Sequence, residues 1–167
     1  KLGALVAICD VDEAGLGETQ RQIQSCSDVH SYSAVVDISS EKAVYDFADA
    51  VKAELGNAHV IVNNAGVEGG GRPCWGVETA TMERVMSINF YGVVFGTRAF
   101  LPHLLDNGEG AVVNISSVFG MIGTPNNSDY CASKFAVRGF SESLMVELTD
   151  TPISVHLVHP GGIATNI

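Results

Sequence analysis

Five short apolar runs, separated by stretches of helical periodicity, constrain the fold of this chain more than any other feature. The apolar runs lie at residues 4–9, 29–36, 59–63, 111–116 and 153–158, and the helical patterns at about 13–25, 40–55, 78–105 and 128–148. Strands that are apolar along nearly their whole length and alternate with helices indicate a parallel sheet covered on both faces. The pattern therefore predicts a doubly wound α/β fold.

Composition limits the class of protein. The 167 residues are 46% hydrophobic and 17% charged, which is typical of one soluble globular domain, so we predict a single domain over 1–167. Nine Lys and Arg oppose 19 Asp and Glu, for a formal charge of −10, and this argues against nucleic-acid and anionic membrane partners. The opening apolar run is too short to cross a bilayer and carries no cleavage site.

The four cysteines form no CxxC pair and no His/Cys cluster at metal-ligand spacing. Reduced thiols in a cytoplasmic protein are therefore expected, with no metal site. The five histidines are scattered along the chain, and we predict ordinary structural roles for them.

Polar and glycine-rich segments follow the predicted strands. They are Asp10, Asp37, the NNAG of 63–66, Ser116 with Ser117, and the PGGIAT of 160–165. In open α/β sheets the ligand lies beyond the carboxyl ends of the strands, so these segments are the candidate binding residues. Asp10 suits hydrogen bonds from the ribose hydroxyls of an adenine nucleotide and would repel a 2′-phosphate; a helix cap is the alternative interpretation.

Tyr130 and Lys134 lie four residues apart in a predicted helix, so their side chains share one face. An ammonium beside a phenol favours the phenolate, which predicts a pKa lowered from about 10 and a side chain able to transfer a proton. Ser117, at the neighbouring strand end, can hydrogen-bond the same substrate oxygen. A tyrosine and a lysine at this spacing also occur on ordinary half-exposed helices.

The motifs together resemble those of the short-chain dehydrogenase/reductase family. They are the strand-end NNAG of 63–66, Asn89 in the segment SINFYG, and Ser117, Tyr130 and Lys134 in the pattern Ser-x12-Tyr-x3-Lys. The resemblance extends from residue 1 to 167. It implies a Rossmann-type fold and hydride transfer between NAD and a small alcohol or carbonyl substrate.

The resemblance also implies a role for each motif residue. Tyr130 would be the catalytic acid/base, Lys134 would lower its pKa and bind the nicotinamide ribose, Ser117 would hold the substrate oxygen, and Asn89 would position a water in a proton relay. The cofactor residues implied in addition to Tyr130 and Lys134 are Asp10, Asp37, Asn63, Ala65, Gly66, Pro160, Gly161, Ile163 and Thr165. Asp10 would hold the adenosine ribose, which favours NAD over NADP.

The sequence departs from the family pattern at both ends. The TGxxxGxG turn that wraps the pyrophosphate is absent, and so are the final segments that carry substrate specificity. We therefore expect a partial family domain, preceded in the functional protein by a strand and a glycine-rich turn. That strand would lie between the strands predicted at 4–9 and 59–63, which would otherwise face a gap or pair directly.

Two other functions stay open at this point. One is a nucleotide-binding or interaction protein that keeps the fold without catalysis, and the other is an NADP-dependent carbonyl reductase. Apolar residues after Ser117 and the loop at 68–75 suggest an apolar substrate pocket; the apolar residues are Val118, Phe119, Met121 and Ile122. The family resemblance also implies a dimer or tetramer formed through the helices at 78–105 and 128–148.

Overall fold

The computed structural model describes residues 3–26 and 30–163, which form five strands and five α-helices. The strands are β1 (Val6–Asp10), β2 (Ser31–Val35), β3 (Val60–Asn63), β4 (Gly110–Ile115) and β5 (Ile153–Val158). The helices are α1 (Glu13–Cys26), α2 (Glu41–Leu55), α3 (Thr79–Met86), α4 (Gly92–Asn107) and α5 (Ser128–Glu147). Thr165 lies outside the described residues.

Helices cover both faces of the β1–β2 pair. Ser33 on β2 donates a hydrogen bond to Gln20 on α1, while its neighbours Tyr32 and Ala34 pack in the cluster formed with α2 and α4. Because successive strand residues point to opposite faces, α1 and α2 lie on opposite sides of these strands. The predicted doubly wound α/β fold is confirmed.

All paired strands are parallel, but they form two separate sheets. β1 pairs with β2, and β3, β4 and β5 form a second sheet in that order. Within the described residues β1 and β3 share no backbone pairing, so the gap expected between them is present and the two strands have not closed onto each other. The strand expected between them lies outside this sequence and stays a prediction.

One hydrophobic cluster spans the two sheets. Its buried residues come from α2, α4 and the end of β2, and it includes Phe100, Val44 and Val51. Cys9 of β1 and Ile61 of β3 both pack against it. Helices α2 and α4 therefore connect the two sheets through apolar contacts, although β1 and β3 are not paired with each other.

The helix predicted over 78–105 is interrupted. A π-helical segment, Ser87–Tyr91, separates α3 from α4 and contains the fully buried Asn89. Segments of this kind are frequent at functional sites, and periodicity alone does not reveal them. The other predicted elements match the structure within about two residues, as expected for boundaries.

The described part of the chain contains four cysteines. Cys9, Cys26, Cys74 and Cys131 are all free, as expected. Among residues 3–26 and 30–163, no helix combines the length and the apolar character that a bilayer span requires.

Candidate active site

A cleft of about 490 Å³ lies at the carboxyl ends of β4 and β5, within the size range of small-molecule sites. Its lining includes Ser117, Tyr130 and Lys134 together with the segment after β5. The remaining lining residues are Asn64, Glu68, Gly69, Gly71, Ile115, Ser116, Val118, Phe119, Asn127, Pro160, Gly161, Gly162 and Ile163. Ser117 thus meets Tyr130 and Lys134, which lie 13 and 17 residues further along the chain, in one cavity.

The docking of α5 against the end of β4 brings these residues together. The Ser116 hydroxyl donates a 2.9 Å hydrogen bond to the Lys134 carbonyl. Gly120, in the short turn after Ser117, lies so close that a Cβ there would collide with the Ser116 hydroxyl and the Lys134 backbone. Only glycine permits this approach of the turn to the helix.

Lys134 is almost completely buried, with 4% of its surface exposed. Its ammonium donates to the Ile115 carbonyl at 3.1 Å and lies 5.7 Å from the centroid of the Tyr130 ring. Burial disfavours the charged form and lowers the pKa of Lys134 to about 8. The lysine therefore releases its proton at a lower pH than an exposed lysine and can take part in proton transfer.

Tyr130 packs edge-on against Phe119, with ring centroids 6.2 Å apart. Burial raises the pKa of the phenol, the nearby Ser117 hydroxyl opposes that rise, and the charges of Glu68 and Cys131 add to it. The expected lowering of this pKa is wrong for this structure, because desolvation of the phenol is the largest influence and raises it. The role of Lys134 toward Tyr130 stays a prediction. The predicted proximity of Ser117 and Tyr130 is present.

Asn89 is fully buried and holds the chain that follows the NNAG segment. Its Oδ1 accepts from the Val67 N–H at 2.8 Å, and its Nδ2 donates to the Val67 carbonyl and to Ser133. Both amide hydrogens are therefore committed to protein acceptors. The expected water relay at Asn89 stays a prediction, and its side chain serves as a clamp.

Some residues of the NNAG segment stabilise the fold, and others lie at the cleft. The Asn63 side chain donates to Thr97 and Asn114 beneath the sheet edge, so it serves packing. Gly66 lies against both Asn89 and Lys134. Ala65 is exposed, and Asn64, to which the family resemblance gives no role, lines the cleft.

Asp10 and Asp37 lie at the ends of β1 and β2, and neither lines the cleft around Tyr130. Asp10 is exposed and accepts from the Asp12 N–H, whereas Asp12 itself accepts from Ala14 at the start of α1. The helix cap is therefore Asp12. Hydrogen bonds from Ser39 lower the pKa of Asp37 and keep its carboxylate charged.

The apolar wall predicted after Ser117 is present in part. Val118 and Phe119 line the cleft, whereas Met121 and Ile122 are exposed and do not. The loop at 68–75 borders the cleft through Glu68, Gly69 and Gly71, as suggested.

Sequence reasoning missed Asp129, whose buried carboxylate lies directly before Tyr130. An acid in the first turn of a helix is a recognisable signal, but the sequence does not name its distant partner. His159, one of the scattered histidines, forms a 2.9 Å hydrogen bond with the Ser117 carbonyl. Among the described residues, no cluster of His, Cys, Asp and Glu is able to hold a metal ion.

The family model for short chain dehydrogenases matches residues 1–167. The chain belongs to the short-chain dehydrogenase/reductase family. The motif residues of the family, Ser117, Tyr130 and Lys134, are those that meet in the cleft.

Curated members of the short-chain dehydrogenase/reductase family match nearly all of the chain. SadH of Mycobacterium tuberculosis, whose name assigns it provisionally to the oxidoreductases, is 44% identical over 98% of this chain and 59% of its own length. Epidermal retinol dehydrogenase 2 of Mus musculus is 37% identical over 88% of this chain and 47% of its own. The chain thus spans about half the length of these relatives.

Solved short-chain dehydrogenase/reductase structures match the fold closely. An enzyme from Burkholderia phymatum in complex with NAD is 31% identical with a TM-score of 0.89, covering 94% of this chain and 56% of its own. A metagenomic oxidoreductase in complex with NADP is 32% identical with a TM-score of 0.90, covering 98% and 73%. One family member with this fold therefore binds NAD, and another binds NADP.

We predict that Lys134→Met abolishes a rise in the free energy of unfolding that the wild type shows as the pH increases above about 8. A pKa lowered from 10.5 to about 8 corresponds to about 3 kcal/mol. Below pH 8 the folded protein bears the cost of a buried charge, and between pH 8 and 10.5 its stability rises as Lys134 releases its proton before the unfolded chain does. Urea unfolding at pH 7 and pH 9.5 measures this difference.

The Lys134→Met variant should lack that rise and should lie closest to the wild type in stability at pH 9.5. The exposed Lys42→Met provides the matched control, with the same chemical change outside the cleft. Equal pH dependence in the wild type and Lys134→Met would contradict the burial of a charged amine.

Proposed function

We propose that this chain carries the site of an NAD-dependent oxidoreductase that interconverts a secondary alcohol and its ketone. The observation that carries the proposal is the meeting of Ser117, Tyr130 and Lys134 in one cleft. A serine hydroxyl and a half-buried phenol beside one cavity suit a substrate oxygen that gains and loses a proton.

The residues that would hold the nicotinamide end are Lys134, Pro160, Gly161 and Ile163, which share the cleft with Tyr130. The Lys134 ammonium has three donors, of which one is given to Ile115. The donors that remain suit ribose hydroxyls. The bound cofactor supplies hydride acceptance or donation at the substrate carbon.

At the other end, Asp10 and Asp37 would bind the adenosine, with the backbone of Asn63, Ala65 and Gly66 beside it. Asp10 is exposed, and the residue that caps α1 is Asp12. The Asp10 carboxylate is therefore available to ribose hydroxyls. Thr165 is proposed as a further contact on the family resemblance alone.

Proton transfer is assigned to the Tyr130 oxygen. In alcohol oxidation the phenolate takes the hydroxyl proton, and in ketone reduction the phenol returns it to the substrate oxygen. Because burial raises the pKa of Tyr130, the phenol is protonated at neutral pH, which favours ketone reduction there. Alcohol oxidation is expected to accelerate as the pH rises.

Lys134 would be the next proton-transfer group after Tyr130, since its ammonium lies 5.7 Å from the centroid of the Tyr130 ring. The pKa of Lys134, about 8, allows the ammonium to release a proton near the working pH. Since the Asn89 side chain is occupied by Val67 and Ser133, a water at this residue would be bound by its main-chain carbonyl.

An apolar substrate body is proposed next to Val118 and Phe119, which line the cleft. The similarity to a protein named for retinol, an apolar alcohol, supports this class. Rates with a panel of secondary alcohols that differ in the length of one alkyl arm would measure the contribution of this wall.

We predict that Tyr130→Phe in the full-length protein lowers kcat/KM about 10²- to 10⁴-fold, because only the transferable proton is lost. The affinity for NADH, measured by fluorescence titration, should change little since the ring remains. Tyr91→Phe, at an exposed tyrosine, serves as the control. A loss below about tenfold would reject the acid/base assignment, whereas absence of turnover in the wild type would favour a nucleotide-binding protein without catalysis.

NAD is proposed as the cofactor in preference to NADP. The carboxylate of Asp10 would repel a 2′-phosphate, and the segment that follows, Val11 to Ala14, contains no basic side chain. An NADP-dependent carbonyl reductase is the alternative, because family members bind either cofactor.

Asp10→Ser is expected to reduce the ratio of kcat/KM for NAD over NADP, by about tenfold or more, because it removes the charge that opposes the phosphate. Asp12→Asn removes a charge two residues away while keeping a capping oxygen, and should leave the ratio unchanged. Equal efficiency with both cofactors in the wild type would reject the preference.

We also propose a cytoplasmic homo-oligomer that uses α4 and α5. Phe135 and Val146 of α5 and Leu105 of α4 are exposed apolar side chains that an interface would cover. Free thiols at Cys26 and Cys74 suit a reducing compartment.

Sedimentation equilibrium of the full-length protein should give a dimer or tetramer. Replacing Phe135 and Val146 by Glu should shift the equilibrium toward monomer, because a charge buried at an interface lacks a partner. Val35→Glu, at an exposed position of β2, serves as the control. A monomeric wild type would contradict the proposal.

A further inference from the structure

The loop Glu68–Arg72, here called the glycine loop, is the sequence feature that the proposed chemistry does not explain. Three successive glycines lie between two charged residues, and the loop follows the segment clamped by Asn89. Its residues Glu68, Gly69 and Gly71 line the same cleft as Tyr130. Such a glycine-rich segment needs an external contact to hold one conformation.

That contact is the carboxylate of Asp129. One oxygen accepts the Tyr130 N–H at 2.8 Å, and the other accepts the Gly70 N–H at 2.7 Å. Asp129 is fully buried, and burying a carboxylate is costly unless it is hydrogen-bonded. The two backbone N–H groups that satisfy it come from the catalytic helix and from the glycine loop.

The glycines are matched to this contact. A Cβ at residue 69 would collide with all three terminal atoms of the Asp129 carboxylate, so the loop reaches the carboxylate only if residue 69 is glycine. Gly71 has φ +63°, a backbone conformation that other residues rarely adopt. Two glycines and one buried acid thus depend on one another.

We propose that Asp129 is a positioning residue that fixes the glycine loop to the start of α5, where the loop forms part of the substrate-binding wall and holds Glu68 beside Tyr130. The substrate would then meet an apolar side, formed by Val118 and Phe119, and a side carrying one carboxylate. A preferred substrate bears a hydrogen-bond donor, such as a second hydroxyl or an amine, near the reacting carbon. This deepens the proposed function, and its kinetic test rests on it.

Several charged or titratable groups face Tyr130. Glu68 comes from the glycine loop, Cys131 and Lys134 from α5 itself, and Asp129 is bonded to the Tyr130 backbone. On the strand side, His159 contacts the Ser117 carbonyl. Of these groups, Glu68 is the one whose position depends on the glycine loop.

The first test is a double-mutant cycle in the full-length protein. Gly69→Ala alone should raise KM for the alcohol about tenfold with kcat little changed, as expected for loss of about one hydrogen bond to a charged group. Asp129→Ala alone should act similarly. In the Asp129→Ala background, Gly69→Ala should raise KM by less than a further factor of about two, because the carboxylate with which the new Cβ would collide is gone.

Gly76→Ala is the matched control, since its added Cβ meets only the Arg72 Cβ at 3.8 Å, an ordinary contact. Its KM should stay within about twofold of the wild type. If Gly69→Ala and Asp129→Ala do not fold, Asp129→Asn keeps the volume but offers one carbonyl oxygen to two N–H donors, and should raise KM in the same way.

The second test does not depend on turnover. With ¹³C-labelled tyrosine, the NMR titration of Tyr130 should move to lower pH in Glu68→Gln, where the charge is lost and the loop remains. It should also move to lower pH in Gly69→Ala, where Asp129 keeps its charge but the loop is displaced. In the Glu68→Gln background, Gly69→Ala should cause no further movement.

A substrate panel completes the test. Replacing Glu68 by Gln should reduce the preference for a diol or amino alcohol over the matching simple alcohol. Additive effects of Gly69→Ala and Asp129→Ala on KM, or a Tyr130 titration that Gly69→Ala leaves unchanged, would overturn the proposal. Absence of turnover with every alcohol would instead reject the proposed function, while the NMR titration would still decide the role of Asp129.

Discussion

The docking of α5 onto the carboxyl end of β4 is the interaction on which the site depends. It is formed by the Ser116 hydroxyl and the Ile115 carbonyl on the strand side and by the backbone and ammonium of Lys134 on the helix side. Burying an ammonium is unfavourable unless it is hydrogen-bonded. The Ile115 carbonyl accepts a hydrogen bond from the Lys134 ammonium and so offsets part of that cost. As a result Ser117 and Tyr130, 13 residues apart, meet at one cleft.

A buried polar network supports this docking from behind. Asn114 accepts from Asn63 on β3 and donates to Ser141 on α5, so one fully buried side chain connects two strands and the helix. Asn89 and Ser133 form a second link between the π-helical segment and α5. Buried polar groups that are all satisfied favour one packing arrangement over its alternatives, because a shift in register would leave them unpaired.

Burial shifts the pKa values of the two proton-transfer groups in opposite directions. Desolvation favours the neutral form of each, so the pKa of Tyr130 is raised while that of Lys134 falls to about 8. The expectation of a lowered tyrosine pKa considered only the neighbouring positive charge. It neglected the cost of placing a phenolate in a cavity that Phe119 and the glycine loop enclose.

The sequence by itself determined the elements and the family, because apolar periodicity and motif spacing are local properties of the chain. It predicted the parallel α/β fold and the meeting of Ser117, Tyr130 and Lys134, and it left open whether β1 and β3 face a gap or pair directly. Only the tertiary structure decided the partner of Asp129, 59 residues away, and the π-helical segment around Asn89. Burial and hydrogen bonding between distant residues set these features, as they set the direction of each pKa, and no local pattern encodes a distance across the fold.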